Sequence, residues 1–267
     1  MPRRIITLTT DFGTSDHFAG TMRGVILSIQ PAAEIVDITH EIRPFDISDG
    51  GFTIAQAYRF FPKKTIHVVV VDPGVGSTRR PLLAEMAGQF FIAPDNGVLS
   101  MIFTREAHAD HIVKARHITN ERYFLKPLSR TFHGRDVFAP AAAHLAAGIA
   151  PARFGPLIRD YLRLDFDKPS HNADRSWTGC VLKVDRFGNL ITNLHIDQFP
   201  QLKTRAFELT VGLQTIKRLA LTFTDCEPDE LCALVGSSGY LEVATNQGSA
   251  AQLLGCGAGA PVELTIY

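Results

Sequence analysis

The sequence predicts an α/β protein in two parts: an amino-terminal α/β domain with a largely parallel sheet, then a smaller carboxyl-terminal all-β barrel domain. Three observations lead there. In the first half, short β-branched runs alternate with stretches of helical period, the pattern of βαβ units. The run Ile66-His67-Val68-Val69-Val70-Val71 is apolar on both faces, as a central parallel strand requires. Beyond Trp177 the helical period is lost, and short apolar runs recur between Gly, Asn, Asp and Pro.

Taken in order, Ile5–Thr10 reads as a buried strand and Ala19–Ile29 as a helix stopped by Pro31. Glu34–Ile38 is strand-like. Asp46–Phe60 reads as a helix, with Asp46 or Asp49 near its start and Pro62 beyond its end. After the central strand, Leu82–Met86 and Phe90–Ala93 carry strand signal. Asp136–Ala147 is expected to be helical, tolerating Pro140 in its first turn and ending at Gly148. Residues 1–164 thus form the first domain, and the polar, Pro-containing segment 165–176 a linker. Residues 177–267 form the second, with strands at Gly179–Val184, Phe207–Val211, Leu219–Phe223, Leu231–Val235, Tyr240–Ala244 and Pro261–Ile266.

Composition narrows the function classes. The 267 residues hold 27 Lys+Arg against 27 Asp+Glu, which leaves no basic excess for nucleic acid. With 45% hydrophobic and 20% charged residues the chain can bury a full core. Arg3 and Arg4 mimic the start of a secretory leader, but the apolar run that follows ends at Asp11, too soon for one. No stretch approaches the ~18 apolar residues of a membrane helix. Cys180, Cys226, Cys232 and Cys256 form no CxxC and have no zinc-finger histidines around them. They read as reduced packing thiols of a cytoplasmic protein.

Three clusters carry chemistry, each at the end of an expected strand. Thr9-Thr10-Asp11-Phe12-Gly13, with Asp16 beyond, puts a carboxylate where open α/β sheets bind ligands; a helix cap is the plainer role for Asp11. Val71-Asp72-Pro73-Gly74-Val75-Gly76-Ser77-Thr78-Arg79-Arg80 builds a tight loop able to bring Asp72 and an arginine together. It lacks the GK[ST] ending of a phosphate loop. Thr131-Phe132-His133-Gly134-Arg135-Asp136 presents a histidine just before a helix. Asp11, Asp72, Arg79 and His133 weigh more as a constellation than singly. In the second domain, Asp185-Arg186-Phe187-Gly188-Asn189 offers an acceptor, an aromatic face and an amide, suited to a heteroaromatic ring; a β-turn with Gly188 at positive φ fits the spacing equally. Gly236-Ser237-Ser238-Gly239-Tyr240 is a second polar, flexible loop.

Together TTDFG, PFDISDG, DPGVGSTRR, APDNG, FHGRD, DRFGN and SSGYL, in that order over nearly the whole chain, resemble the S-adenosylmethionine hydroxide adenosyltransferases. These are adenosine-forming S-adenosylmethionine hydrolases, relatives of the fluorinase and chlorinase. The resemblance implies an α/β domain, a β-barrel and a homotrimer with active sites between subunits. It implies that Asp72, Arg79 and His133 form the water-activating triad that the halogenases lack, and that Asp11 grips the ribose hydroxyls. Asp16, Asp185 and Ser237 fall around the methionine moiety, and Phe187, Asn189 and Phe223 around adenine. Phe45, counted with the substrate-binding residues, stands where the fluorinase has a tryptophan, and Ser238 where it has an arginine.

The expected activity is hydrolysis of S-adenosyl-L-methionine to adenosine and L-methionine, with no cofactor and no metal, because the leaving group departs neutral. The rivals are a halide-dependent adenosyltransferase, a metal-dependent hydrolase using the Asp and His residues, and a non-catalytic binding module for a nucleoside or S-adenosylmethionine.

Overall fold

The computed structural model describes residues 4–109, 111–165 and 168–267. Arg3 and residues 166–167 of the expected linker lie outside them. The chain divides into two compact units, Met1–Leu164 and Asp165–Tyr267.

The first unit runs β1 (Ile5–Thr10), α1 (Phe18–Ile29), β2 (Glu34–Thr39), α2 (Ile47–Ala57), β3 (Ile66–Val70), β4 (Pro81–Met86), β5 (Gln89–Pro94), α3 (Ser100–His108), β6 (Lys114–His117), α4 (Ala139–Ala146) and β7 (Leu157–Ile158). Its sheet has the order β2-β1-β3-β5-β4-β6-β7. The β2-β1-β3-β5 half is parallel, whereas β4, β6 and β7 pair antiparallel. The expected largely parallel sheet is therefore mixed. The cause is local: Ala87 (φ 53°) and Gly88 (φ 73°) both take positive φ, making a two-residue hairpin that folds β5 straight back onto β4.

Both faces of β1 and β3, at the centre of the parallel half, are buried. Ile6, Leu8, Ile66, Val68 and Val70 join Met22 and Ile26 of α1 and Ala139, Ala141, Ala142 and Ala143 of α4 in one core cluster. On the alternate positions of the same strands, Thr7, Thr9, His67 and Val69 are also sealed from solvent. Asp46 caps α2, accepting from the Asp49 amide at 2.9 Å, and a 3₁₀ turn at Tyr58–Phe60 completes the expected helix. Residues Gly134–Phe138 form a π-helical turn before α4, so the expected helix is α-helical only over Ala139–Ala146. Such turns recur at functional sites.

One buried group makes the unit acid-sensitive. His67 lies fully buried in β3, stacked on Phe91 and sharing a 2.7 Å hydrogen bond with Thr7 through Nδ1, and desolvation lowers its pKa to about 4. Between pH 6.5 and about 4 the unfolded chain therefore takes a proton that the folded chain refuses. Stability should fall by about 3 kcal/mol as pH drops through that window. Urea unfolding at pH 7 and pH 4.5 checks this, and His67→Asn should be flatter with pH than the parent; identical slopes would exclude His67 as the cause.

The second unit runs β8 (Ser170–Ala173), β9 (Ser176–Val184), β10 (Leu190–His195), β11 (Phe207–Val211), β12 (Gln214–Ile216), β13 (Leu219–Ala220), β14 (Leu231–Val235), β15 (Tyr240–Thr245), α5 (Ala250–Leu254) and β16 (Pro261–Ile266). The strands follow the order β12-β11-β16-β9-β10-β15-β14-β13, with β8 on β9, curled around an apolar core, and a smaller cluster forms around Cys226, Cys232 and Leu234. Among the described residues no ladder joins β12 to β13, so the expected barrel is an open, curled sheet.

Other expectations change in detail. The linker holds β8, which pairs with β9. The strand expected over Leu219–Phe223 stops at Ala220, because Thr222 and Asp225 form a capping box around a 3₁₀ turn at Phe223–Asp225. The cysteines are not all reduced: Cys226 and Cys232, with Cα atoms 6.4 Å apart, are disulfide-bonded, while Cys180 and Cys256 are free. The chain between them turns back on itself into β14, a proximity that a six-residue spacing does not announce. Among the described residues no helix is long and apolar enough to cross a membrane.

Candidate active site

Chain order fixes where the first unit's site lies. From β1 the chain crosses to β2 on one side, then to β3 on the other, so the carboxyl ends of β1 and β3 flank the switch point where such sheets bind ligands. Asp11 follows β1 directly, and Asp72 follows Val71 at the end of β3. A cavity of about 290 Å³ opens there, lined among others by Asp11, Phe12, Phe18, Phe45, Asp72 and His133.

Asp72, Arg79 and His133 meet. Arg79 Nε donates to Asp72 Oδ1 at 2.9 Å, and its Nη2 donates to Asp72 Oδ2. The same Nη2 is 2.8 Å from His133 Nδ1. An arginine cannot accept, so Nδ1 is the acceptor and the neutral imidazole carries its proton on Nε2. Arg79 and Asp72 side chains are only 8% and 5% exposed, and the Phe138 ring lies 5.3 Å beneath the guanidinium. Burial, then the Arg79 charge, holds the His133 pKa below its ordinary value, against smaller opposing effects of Asp72 and Asp136. Gly76, at φ 76°, brings the tip of the Asp72–Arg79 loop onto the His133 loop; a Cβ there would sit 2.2 Å from the Arg130 carbonyl oxygen.

Asp11 is not a helix cap, since α1 starts after His17. Its Oδ2 accepts from the Phe45 amide at 2.9 Å. Phe45 takes φ 67° and leaves its ring 72% exposed at the cavity. The segment around it is held by Asp49 Oδ2, which accepts from the Arg43 amide at 3.0 Å. Burial pushes the Asp11 pKa up, and the Asp72 charge adds to this against hydrogen bonds from the backbone. The cavity's apolar wall is a triangle of rings, Phe12, Phe18 and Phe132, with centroids 5.1–5.8 Å apart. Phe18, Thr131 and Phe132 carried no individual signal. Asp16 is exposed and does not line this cavity.

In the second unit Asp185 organises its own turn. Its Oδ1 accepts from the amides of Phe187 and Asn189, and its Oδ2 from Asn189 Nδ2, each at 2.9 Å. Gly188 takes φ 86°, and a Cβ there would meet Ser249 Oγ at 2.1 Å, so the turn lies tight against the start of α5. Phe187 is left 79% exposed and, with Asn189 and Phe223, lines a cavity of about 430 Å³. Ser237 is exposed in the β14–β15 turn. Under that turn lies Glu242, whose carboxyl burial pushes up to about 7, with the Asp185 charge adding to it. The sequence alone does not single it out, because alternation in a strand gives a buried carboxylate no special mark.

The rival metal site meets an obstacle: the Arg79 guanidinium already occupies the position between Asp72 and His133. Among the described residues no group of three or more His, Cys, Asp or Glu side chains is arranged to hold a metal ion.

Comparison with known proteins agrees over the full length. The (R)-S-adenosyl-L-methionine hydrolase of Salinispora tropica is 35% identical, with 99% of this chain and 98% of the relative aligned. The protein of the same name from Methanocaldococcus jannaschii is also 35% identical, over 94% and 91%. A fluorinase of Nocardia brasiliensis is 28% identical, over 99% and 97%. The crystal structure of an uncharacterized conserved protein from Thermotoga maritima superposes with a TM-score of 0.88 at 37% identity, covering 97% of this chain and 99% of that one. Residues 6–155 match the SAM hydroxide adenosyltransferase N-terminal domain and residues 179–263 its C-terminal domain, and the chain belongs to that family.

Proposed function

We propose that this chain hydrolyses S-adenosyl-L-methionine to adenosine and L-methionine. The observation that carries the reading is the single hydrogen-bonded array of Asp72, Arg79 and His133 beside the cleft that also holds Asp11. The greater likeness to proteins named hydrolase than to fluorinases supports it.

The reaction is an in-line displacement. A water oxygen bonds to the ribose 5′ carbon, giving up one proton before or during the attack, and the carbon–sulfur bond breaks with its electron pair going to sulfur. A sulfonium and a hydroxide-like nucleophile lose charge together, so a dry, apolar cleft favours the transition state over the separated ions. Arg79, fixed by Asp72 on one side and His133 on the other, supplies positive charge that favours the hydroxide form. His133, its Nδ1 engaged by Arg79, orients the water by donating from Nε2–H, and Asp72, whose carboxylate oxygens keep lone pairs beyond those given to Arg79, takes its proton. Asp11 holds the ribose hydroxyls. Methionine leaves as a neutral thioether, so the chemistry calls for no metal and no cofactor.

The rest of the substrate falls to groups whose roles the family likeness suggests: Phe187, Asn189 and Phe223 for adenine, Asp16, Asp185 and Ser237 for methionine, with Phe45 at the cleft mouth. Each unit offers an incomplete site with exposed rings, Phe45 on one and Phe187 on the other. We propose a homotrimer in which the second unit of one copy closes the cleft of its neighbour. The test is product identification after incubation with S-adenosyl-L-methionine, with and without chloride and a chelator. Adenosine and methionine should form in all mixtures; 5′-chloro-5′-deoxyadenosine alone, and only with chloride, would overturn the reading.

A further inference from the structure

Ala93-Pro94-Asp95-Asn96-Gly97 lines neither cavity, yet it touches both ends of the Asp72–Arg79 loop. The reason is topological. β5 pairs with β3 on one side and β4 on the other, so the residues that follow β5 emerge between the end of β3 and the start of β4. The loop leaves from the first of these strands and returns at the second. Asn96 Nδ2 donates to the Val71 carbonyl at 2.7 Å, one residue before Asp72. Its Oδ1 accepts from the Val98 amide at 3.2 Å, which fixes the amide's orientation. Asp95 holds the other end. Its amide donates to the Arg80 carbonyl at 2.8 Å, and its Oδ2 accepts from Arg80 Nε and Nη2 at 2.9 and 2.7 Å, one residue after Arg79. Its remaining oxygen accepts from the Leu162 amide at 2.8 Å.

The loop needs such anchors. It is rich in Pro and Gly, its tip at Gly76–Thr78 is exposed, and it contributes no residue to the buried hydrophobic core of the first unit. Arg79 must nevertheless reach Asp72 and His133 at once, and a hydrogen bond of 2.8 Å does not survive a displacement of about 1 Å.

We propose that Asp95 and Asn96 are positioning residues for the Asp72–Arg79–His133 array: they fix both ends of the loop at the separation that lets Arg79 bridge its two partners. The catalytic consequence rests on the hydrolase reading; the effect on His133 does not.

Asn96→Ala removes the donor to Val71. Asn96→Asp keeps the shape and the acceptor for Val98, but donates to Val71 only when its carboxyl is protonated. Each variant is assayed for kcat and KM on S-adenosyl-L-methionine. The His133 imidazole is titrated by NMR on histidine-labelled protein, its resonance assigned by its loss in His133→Asn. In Asn96→Ala, kcat should fall roughly ten- to hundredfold while KM stays within about twofold, as expected for a misplaced catalytic group. The His133 midpoint should rise toward 6.5 as the Arg79 charge moves away. In Asn96→Asp, kcat relative to the parent should recover on acidification, which Asn96→Ala cannot do. An unmoved His133 midpoint in both variants, or a loss shared equally by kcat and KM without acid recovery, overturns the proposal. If Asn96→Ala does not fold, the isosteric Asn96→Asp decides alone. If the parent forms no adenosine, the hydrolase reading fails while the His133 titration still decides the loop's anchoring.

Discussion

His133→Ala should lose turnover by roughly 10²–10⁴-fold while binding S-adenosyl-L-methionine almost as tightly as the parent. The separation follows from where the residue stands. His133 Nδ1 accepts from Arg79, whose other contacts go to Asp72, and the proposed substrate contacts come from different residues, Asp11, Asp185 and Phe187. Arg79→Ala should behave alike. The double variant should fall short of the product of the two losses, because one guanidinium joins the set and its members act as a unit. The pH dependence has a definite sign. Burial and the Arg79 charge keep His133 neutral below its ordinary pKa, and an imidazolium has no lone pair left for Arg79. Turnover should therefore hold at neutral pH and fall on acidification with a midpoint below 6.5. Calorimetric affinity and single-turnover rate on the same preparations check this, with oligomer content followed by sizing. A variant that keeps its rate but loses affinity or assembly would make His133 structural.

The strands that carry the chemistry were legible because their signals are local. Ile5–Thr10 and Ile66–Val71 are runs rich in β-branched residues that lead directly into carboxylates, and a parallel sheet buried on both faces favours such runs. What was not legible depends on partners distant in the chain. The carboxylate of Asp11 meets the amide of Phe45, and Asn96 meets the carbonyl of Val71. Neither motif states its partner, so APDNG is conspicuous as a string and mute about its task until β5 is seen between β3 and β4. The mixed sheet turned on Ala87, a residue with no turn preference that takes positive φ because Gly88 and the pairing of β4 with β5 over-determine it. The π turn at Gly134–Phe138 was invisible for a similar reason. Its composition reads as helix, and the buried Asp136, accepting from the Ser129 amide at 2.7 Å, ties that turn to the loop before His133. Asp185 shows the converse. Its carboxylate, assigned by likeness to the methionine moiety, accepts three hydrogen bonds from its own turn, so it orders the loop as well as offering its remaining lone pair to a ligand.

Asp11 is the position where loss of binding should be largest. Its carboxylate lines the cleft with one oxygen committed to the Phe45 amide at 2.9 Å, which leaves the other and its remaining lone pairs for the two ribose hydroxyls. Asp11→Ala strands those donors, and charge-assisted bonds being the stronger kind, affinity for S-adenosyl-L-methionine should weaken by about 2–4 kcal/mol. The substitution also frees the amide of Phe45, a residue already at φ 67°, so part of any loss could come from a displaced cleft mouth rather than from the ribose. Asp11→Asn separates the two. Its side-chain oxygen still accepts from Phe45 while the charge is gone, and it should retain the cleft but lose about half of the binding term. A 2′-deoxy analogue completes the cycle: the parent should lose affinity when the hydroxyl is removed, whereas Asp11→Ala should lose much less, since its hydroxyl has no partner to give up. Equal losses in parent and variant would show that Asp11 does not read the ribose, and that its place beside Asp72 serves only to hold the loop at Phe45.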